Sequence, residues 1–402
     1  MRPGRVCTSC LTEIMRLPSL SLRALITGFA SMGVVGSVLM TRQPEFQSLW
    51  SLDAAEWGWV LFAVGFGGVM SFPINRWFLA RIGSRAMIGR FGIAGGLLMA
   101  LIPWLPGLHG LLAGMFLQGM VYNGVSVAVN QQAAEWELRQ KTRMMGRLHA
   151  TFYVGSMLSA FVSGALAASG LPLWMHMTAV GVLAAILHVW VGRRLPAETP
   201  GAENPSSTPI PAGAWQGLAV LAGCHGIVES GIMGWSAIYL HQGLQASESV
   251  AGMALAVFAG TMAVGRFLTD AVVTRFGPVV VIGAGSLLCG LGLALAVIGA
   301  TTGTMFAGLA ACGLGLAAVA PVFFSAAGRL GGQTLALIAS FNAIGGLIGP
   351  PVLGQVAKMW SLATVFGVLA VMCVVMAWNA RVLRERVAEG PPLPASAPTT
   401  ST

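Results

Sequence analysis

The chain has 402 residues, of which 56% are apolar and 9% charged. Ordinary globular chains are about 25% charged, so this composition cannot cover a soluble surface and is that of a polytopic membrane protein. The net charge of +9 does not point to nucleic acid, because the basic residues stand at the ends of long apolar runs instead of in one patch.

About twenty apolar residues cross a hydrocarbon core. In chain order, twelve runs qualify: 22–41, 54–75, 87–106, 108–130, 148–169, 172–191, 214–240, 247–269, 278–300, 303–327, 333–357 and 361–381. With no water in the bilayer core their backbone groups must pair internally, so all are predicted helices and the fold class is all-α. Asp53 with Glu56 three residues on reads as a capping box, and Ser247 as the cap of the eighth span. Of the 22 Lys and Arg residues, all but Arg42 and Lys358 fall on one side of this arrangement. The positive-inside rule therefore predicts cytoplasmic N- and C-termini.

No apolar core precedes the first span, so no cleavable signal peptide is expected. The stretch from Pro196 to Gly213 is rich in Pro, Ser, Thr and Gly and reads as a flexible linker. It divides the chain into a cytoplasmic segment (1–21), a six-helix bundle (22–191), a linker (192–213), a second six-helix bundle (214–381) and a disordered tail (382–402). The bundles echo each other: a shift of 194 residues lays Gly58 on Gly252, Leu61 on Leu255, Arg81 on Arg275, Gly83 on Gly277 and Ile88 on Ile282. Of six cysteines, Cys224, Cys289, Cys312 and Cys373 lie inside spans, which argues against a disulfide framework. Cys7 and Cys10 form a lone CxxC with no second pair.

Two parallel six-helix repeats are the arrangement of the large 6+6 transporters. After the eighth span the chain reads Gly265-Arg266-Phe-Leu-Thr-Asp270-Ala-Val-Val-Thr-Arg275-Phe-Gly277, and its counterpart after the second is Arg76-Trp-Phe-Leu-Ala80-Arg81-Ile-Gly83-Ser-Arg85. In these motifs, and over its whole length, the chain resembles the major facilitator superfamily. That resemblance implies a cytoplasmic gate of Gly265, Arg266, Asp270, Arg275, Gly277, Arg81 and Gly83. The chain departs from the pattern at Ala80 and Thr274, where an acid usually precedes the arginine. The stretches Val127–Glu137, Arg147–Gly155, His225–Leu240 and Phe341–Gly354 are similar to a narrower bacterial branch. That branch includes a rhizopine-associated membrane protein and is distantly related to fucose permeases. The branch usually has Asp where this chain has Ser126 and Gly234. It implies a sugar, cyclitol or amino-sugar as solute and a multi-pass protein of the bacterial inner membrane.

Two ionisable side chains lie near the middle of a span, His225 and Glu229, four residues apart on one helix face that Ser236 continues. A charge at mid-membrane costs about 2.5–3.5 kcal/mol on insertion scales, so such residues usually face a cavity. Glu229 with His225 is the candidate for proton coupling; solute binding and a purely structural hydrogen bond are the alternatives. Gln118, Tyr122, Asn123 and Asn130 in span four and Asn342 in span eleven are polar among apolar neighbours, either helix glue or cavity lining. Gln118, Tyr122, Asn123, Asn342, Trp235 and Ser236 are the solute-binding candidates, while Trp57, Trp59 and, as its alternative, Trp235 read as an aromatic belt. Arg266 and Asp270 are spaced to pair, His149 to bridge to Glu135, and Gly345, Gly346, Gly349, Pro350 and Pro351 to kink span eleven.

No GxxxxGK[ST], HExxH or GxSxG sequence occurs, nor a convincing metal-ligand spacing, so neither an enzyme nor a cofactor is expected. The reading is a monomeric secondary transporter of a small polar solute, working by alternating access and coupled to protons, with the lipid bilayer as surroundings and no nucleic-acid partner. An exporter of drugs or lipophilic metabolites is the alternative. A non-transporting membrane sensor or assembly factor is the reading from another class.

Overall fold

The computed structural model describes residues 20–140, 144–196, 215–330 and 332–383. The Cys7–Cys10 pair, most of the linker and the tail lie outside these. The first half holds α1 (Leu20–Thr41), α2 (Gln43–Trp50), α3 (Ala54–Met70), α4 (Phe72–Leu101), α5 (Gly107–Gln140), α6 (Met145–Ala168) and α7 (Leu173–Arg194). The second holds α8 (Gln216–Ile238), α9 (Glu248–Phe276), α10 (Pro278–Gly299), α11 (Thr302–Leu316), α12 (Val319–Arg329), α13 (Gly332–Met359) and α14 (Leu362–Asn379). Among the described residues, eleven helical stretches are long and apolar enough to cross a membrane, and Ala54–Met70 is apolar but shorter.

That shorter helix does not end where its label stops. Pro73 has no N–H to give, which interrupts the ladder, yet Ser71 still donates its N–H to Gly67 (3.0 Å) and Asn75 to Ser71 (2.6 Å). The chain keeps its helical course to Ile82 and turns at Gly83, whose φ of 72° and ψ of 161° suit glycine alone. In the second half α9 runs 29 residues and turns at Gly277, with φ 79° and ψ 157°. Both begin at caps: Asp53 accepts from the N–H of Glu56 in a full capping box, and Ser247 accepts from that of Val250. The 194-residue repeat is thus written in the backbone, cap for cap and turn for turn.

Elsewhere the structure corrects the sequence boundaries. The connection between the first two spans contains α2, which turns the buried Arg42 inward to pair with Glu45 and donate to the carbonyl of Leu171 at 2.8 Å. Span seven closes with a wide π turn over Tyr239–Gly243, and span ten breaks into α11 and α12. Trp57 and Trp235 do not sit in an aromatic belt; they are 1% and 0% exposed, whereas Trp59 is open to the outside.

Small residues let the helices approach. A Cβ on Gly33 would stand 2.0 Å from the carbonyl oxygen of Phe152, so glycine brings α1 against α6. Within each half α4 packs on α7 and α8 on α13; between halves, α6 meets α9 and α3 meets α13. At one end of the bundle the halves touch repeatedly. Gly58 lies against Pro350, Gly252 against Thr41, and Lys358 donates to Asp53 at 2.7 Å. At the other end, Arg85 with Gly192 and Gly217 with Val382 are contacts within a half. The outward faces carry apolar side chains such as Ile298 and Leu291.

Candidate functional site

The inter-half contact reaches inward as far as a cluster of polar side chains from four helices. Glu229 on α8 accepts a hydrogen bond from the hydroxyl of Tyr153 on α6, at 2.7 Å. The same phenol oxygen accepts from Arg266 Nη2 on α9 at 3.2 Å, and the guanidinium lies 4.7 Å above the Tyr153 ring. On the α8 face, His225 Nδ1 is 3.8 Å from Glu229 Oε2 and 3.1 Å from Asn342 Oδ1 on α13. Phe323 closes over the His225 ring edge-on at 5.5 Å. Tyr153 belongs to the first half; the other members belong to the second.

The packing that builds this cluster follows from glycine placement. Gly226, beside His225, lies so close to α13 that a Cβ would stand 2.1 Å from the Asn342 carbonyl oxygen. Gly155, two residues after Tyr153, would bring a Cβ within 2.3 Å of the Ala30 carbonyl oxygen. The helices bearing the polar groups are therefore held against their neighbours by close backbone contact, α8 on α13 beside Asn342 itself and α6 on α1.

Chemically, the arrangement is an acid and a permanent cation joined through one hydroxyl. A carboxylate so placed can take or lose a proton while Tyr153 remains its donor. Hydrogen bonds to charged groups are worth about 1.5–3 kcal/mol, enough for a change of protonation to alter how firmly Tyr153 holds the second half. The His225 side chain is 1% exposed and that of Glu229 20%, so the acid is the more accessible of the two.

Of the residues singled out by sequence, Asn342 joins Glu229 and His225. Asn123 accepts from Asn75 Nδ2 at 3.1 Å, in a seam between α5 and the first turn of α4 that also holds Ser71. Tyr122 donates to the Met32 carbonyl, and Gln118 lines a narrow gap inside the first half together with His188. Trp235 and Ser236 are buried nearer the Asp53 end, where Ser236 donates to its own helix at Ile232. These five stand apart from the cluster.

The Arg266–Asp270 pair suggested by spacing is not made. Arg266 turns inward to Tyr153, and Asp270 is exposed. Nor does His149 bridge to Glu135: its ring packs on Phe29 at 5.0 Å, while Glu135 pairs with Arg139. Arg266 also lies within its span, and His188 is buried 3.1 Å from Ser31 Oγ. Gly83 and Gly277 are the two turns described above. Arg81 stacks on Trp77 at 4.3 Å and Arg275 on Phe276 at 5.3 Å.

Residues 22–219 and 218–401 each match the Major Facilitator Superfamily. An uncharacterized transporter of Sinorhizobium fredii is 27% identical, covering 90% of this chain and 98% of that protein. An uncharacterized MFS-type transporter of Yersinia pestis is 30% identical over 82% of this chain and 87% of its own length. Membrane protein MosC of Rhizobium meliloti is 24% identical, covering 93% of each. Among solved structures, a mutant of the nucleoside transporter NupG superposes with a TM-score of 0.74 at 15% identity, covering 90% of this chain and 99% of that one. A bacterial homolog of the human lysosomal transporter Spinster gives 0.67 at 16% identity, covering 92% and 95%.

Proposed function

The chain belongs to the Major Facilitator Superfamily, a family of transporters and not of enzymes, and on that premise we propose that it carries a small polar solute across the bacterial inner membrane, driven by protons. With twelve spans, counting the bent Ala54–Ile82 helix as one, both termini lie in the cytoplasm, in accord with the basic residues on that side. The Asp53 end is then periplasmic, and a structure whose halves meet there is closed to the outside. Two six-helix bundles joined by the 192–213 linker rock about the central cluster.

The observation that carries this reading is the hydrogen bond from Tyr153 to Glu229, because it crosses between the halves. An acid that is bridged across the seam in one state and released in the other lets its protonation bias alternating access. Hydrogen-bonding side chains at Asn342, His225 and Tyr153 suit a polar solute of the sugar, cyclitol or amino-sugar kind. The exposed Asp270, with Arg275 and Arg81, serves the cytoplasmic gate in this scheme. Replacing Asp270 by Asn slows transport and leaves solute affinity nearly unchanged; a large loss of binding removes the gate role.

The test is uptake into proteoliposomes under an imposed pH gradient, compared with solute exchange at equal pH. In Glu229→Gln, gradient-driven accumulation is lost and exchange persists. Accumulation that still follows the gradient in that variant rules out Glu229 as the proton carrier.

A further inference from the structure

Arg266 brings a permanent positive charge into the seam. Each ion pair among the described residues joins other partners: Arg42 with Glu45, Arg139 with Glu135, His225 with Glu229 and Lys358 with Asp53. Arg266 spends one N–H on a neutral acceptor, the Tyr153 phenol, while its Nε is buried without a hydrogen-bond partner. Glu229 accepts from the same phenol, so one hydroxyl links acid and guanidinium, which make no ion pair with each other. A guanidinium presents five donors suited to a planar, two-oxygen acceptor, and a cation in a membrane span is normally matched by an anion. Here the matching group is incomplete.

We propose that the seam beside Tyr153 and Arg266 binds the carboxylate of a small polyhydroxy acid, and that the acid is carried together with a proton on Glu229. This rests on the transport reading above and narrows its solute class. The groups facing Glu229 are His225 on its own helix, Tyr153 from α6 and, through the phenol, Arg266 from α9; His149 on α6 lies within electrostatic reach of that arginine. With Glu229 ionised, its charge offsets the guanidinium and repels a second carboxylate. A proton on Glu229 removes that repulsion and leaves Arg266 as the sole charge, ready for the solute anion. Each then favours the other by the same factor, as linkage requires. A monoanion and one proton cross with no net charge. The hydroxyl groups of such a solute fall to Asn342 and His225.

The experiment uses the purified full-length chain with four probes: D-gluconate and D-galacturonate, and the uncharged D-galactose and myo-inositol. Binding is followed by calorimetry at acidic and alkaline pH, and flux in proteoliposomes. The acids bind about tenfold or more tighter at the acidic pH, and a potential imposed by potassium and valinomycin leaves their gradient-driven uptake unchanged. Arg266→Gln weakens acid binding by about 10- to 100-fold and has little effect on the neutral probes. Arg266→Lys keeps the charge and falls between; it supplies the comparison if the glutamine variant does not fold. Neutral probes that bind as well as the acids, or acid binding that survives in Arg266→Gln, overturn the anion assignment and leave the transport reading standing. No flux of any of the four overturns both.

Discussion

Tyr153 contributes one oxygen to two charged partners, and its ring to the second of them. Phenylalanine in its place keeps the stacked ring and removes the oxygen, so Glu229 loses a donor and Arg266 an acceptor at once. The expected loss is about 1–3 kcal/mol, read as a lower melting temperature of the purified protein. Glu229→Gln retains an acceptor for the phenol and melts closer to the parent. If Tyr153→Phe melts no lower than Glu229→Gln, the phenol does not hold the two halves in this way. The same residue shows where sequence reading stops. Glu229, His225 and Asn342 stand out because a polar group in an apolar span is costly. Tyrosine carries its hydroxyl on an apolar body and passes for packing or for a belt residue. Arg266 falls within the 247–269 run yet resembles a span-end arginine, because its inward turn depends on a partner 113 residues away.

At the scale of the helices, close backbone approaches fall into two kinds, and a methyl group tells them apart. A Cβ at position 33 meets the Phe152 carbonyl oxygen at 2.0 Å and the Ser156 nitrogen at 2.9 Å, both within the first half. That contact belongs to the bundle in every state, so Gly33→Ala should destabilise the fold by about 1–3 kcal/mol or more and lower the yield of monodisperse protein. At position 58 a Cβ meets the Pro350 oxygen at 2.9 Å and Pro351 Cα at 3.1 Å, both in the other half. Gly58→Val then folds but wedges the Asp53 end apart. A cysteine placed on the buried Leu61 should react faster with a membrane-impermeant maleimide in that background; an unchanged rate shows that the two halves do not close on this seam. The repeat behind these seams was legible, because caps and glycine turns are local signals, and Asp53 with Gly83 and Ser247 with Gly277 recur at a fixed offset. The break at Ser71, the split of span ten and the α2 helix were not. Hydropathy fixes how much chain lies in the apolar layer and says little about where a helix bends inside it.

For the whole molecule, the Lys358–Asp53 bridge ties the two halves together at the end where they meet, and both side chains are open to solvent. The hydrogen bond from Lys358, followed by that from the Glu56 backbone, holds the Asp53 carboxyl below its ordinary value of 3.8. A carboxyl with a depressed folded value favours its bonded state above the ordinary value and loses that contribution as pH falls through the depressed one. Near neutrality the strap is therefore fully formed, and protonation is not the way to release it. Salt is, because exposed pairs are screened and contribute little individually. Asp53→Asn keeps a competent N-cap for the helix, since asparagine caps as well as aspartate, while removing the charge. The expected result is a shift of a few-fold at most toward the conformer open at this end, measured by spin-label distances between Ser48 and Glu248. Lys358→Gln should match it, and the double variant should go no further than either single one. High salt should produce the same shift in the parent chain and none in Asp53→Asn. Single variants whose effects add independently, or a parent chain insensitive to salt, place the closing force elsewhere, in the glycine seam between Gly58 and Pro350. That seam carries no charge, and neither salt nor these substitutions would touch it.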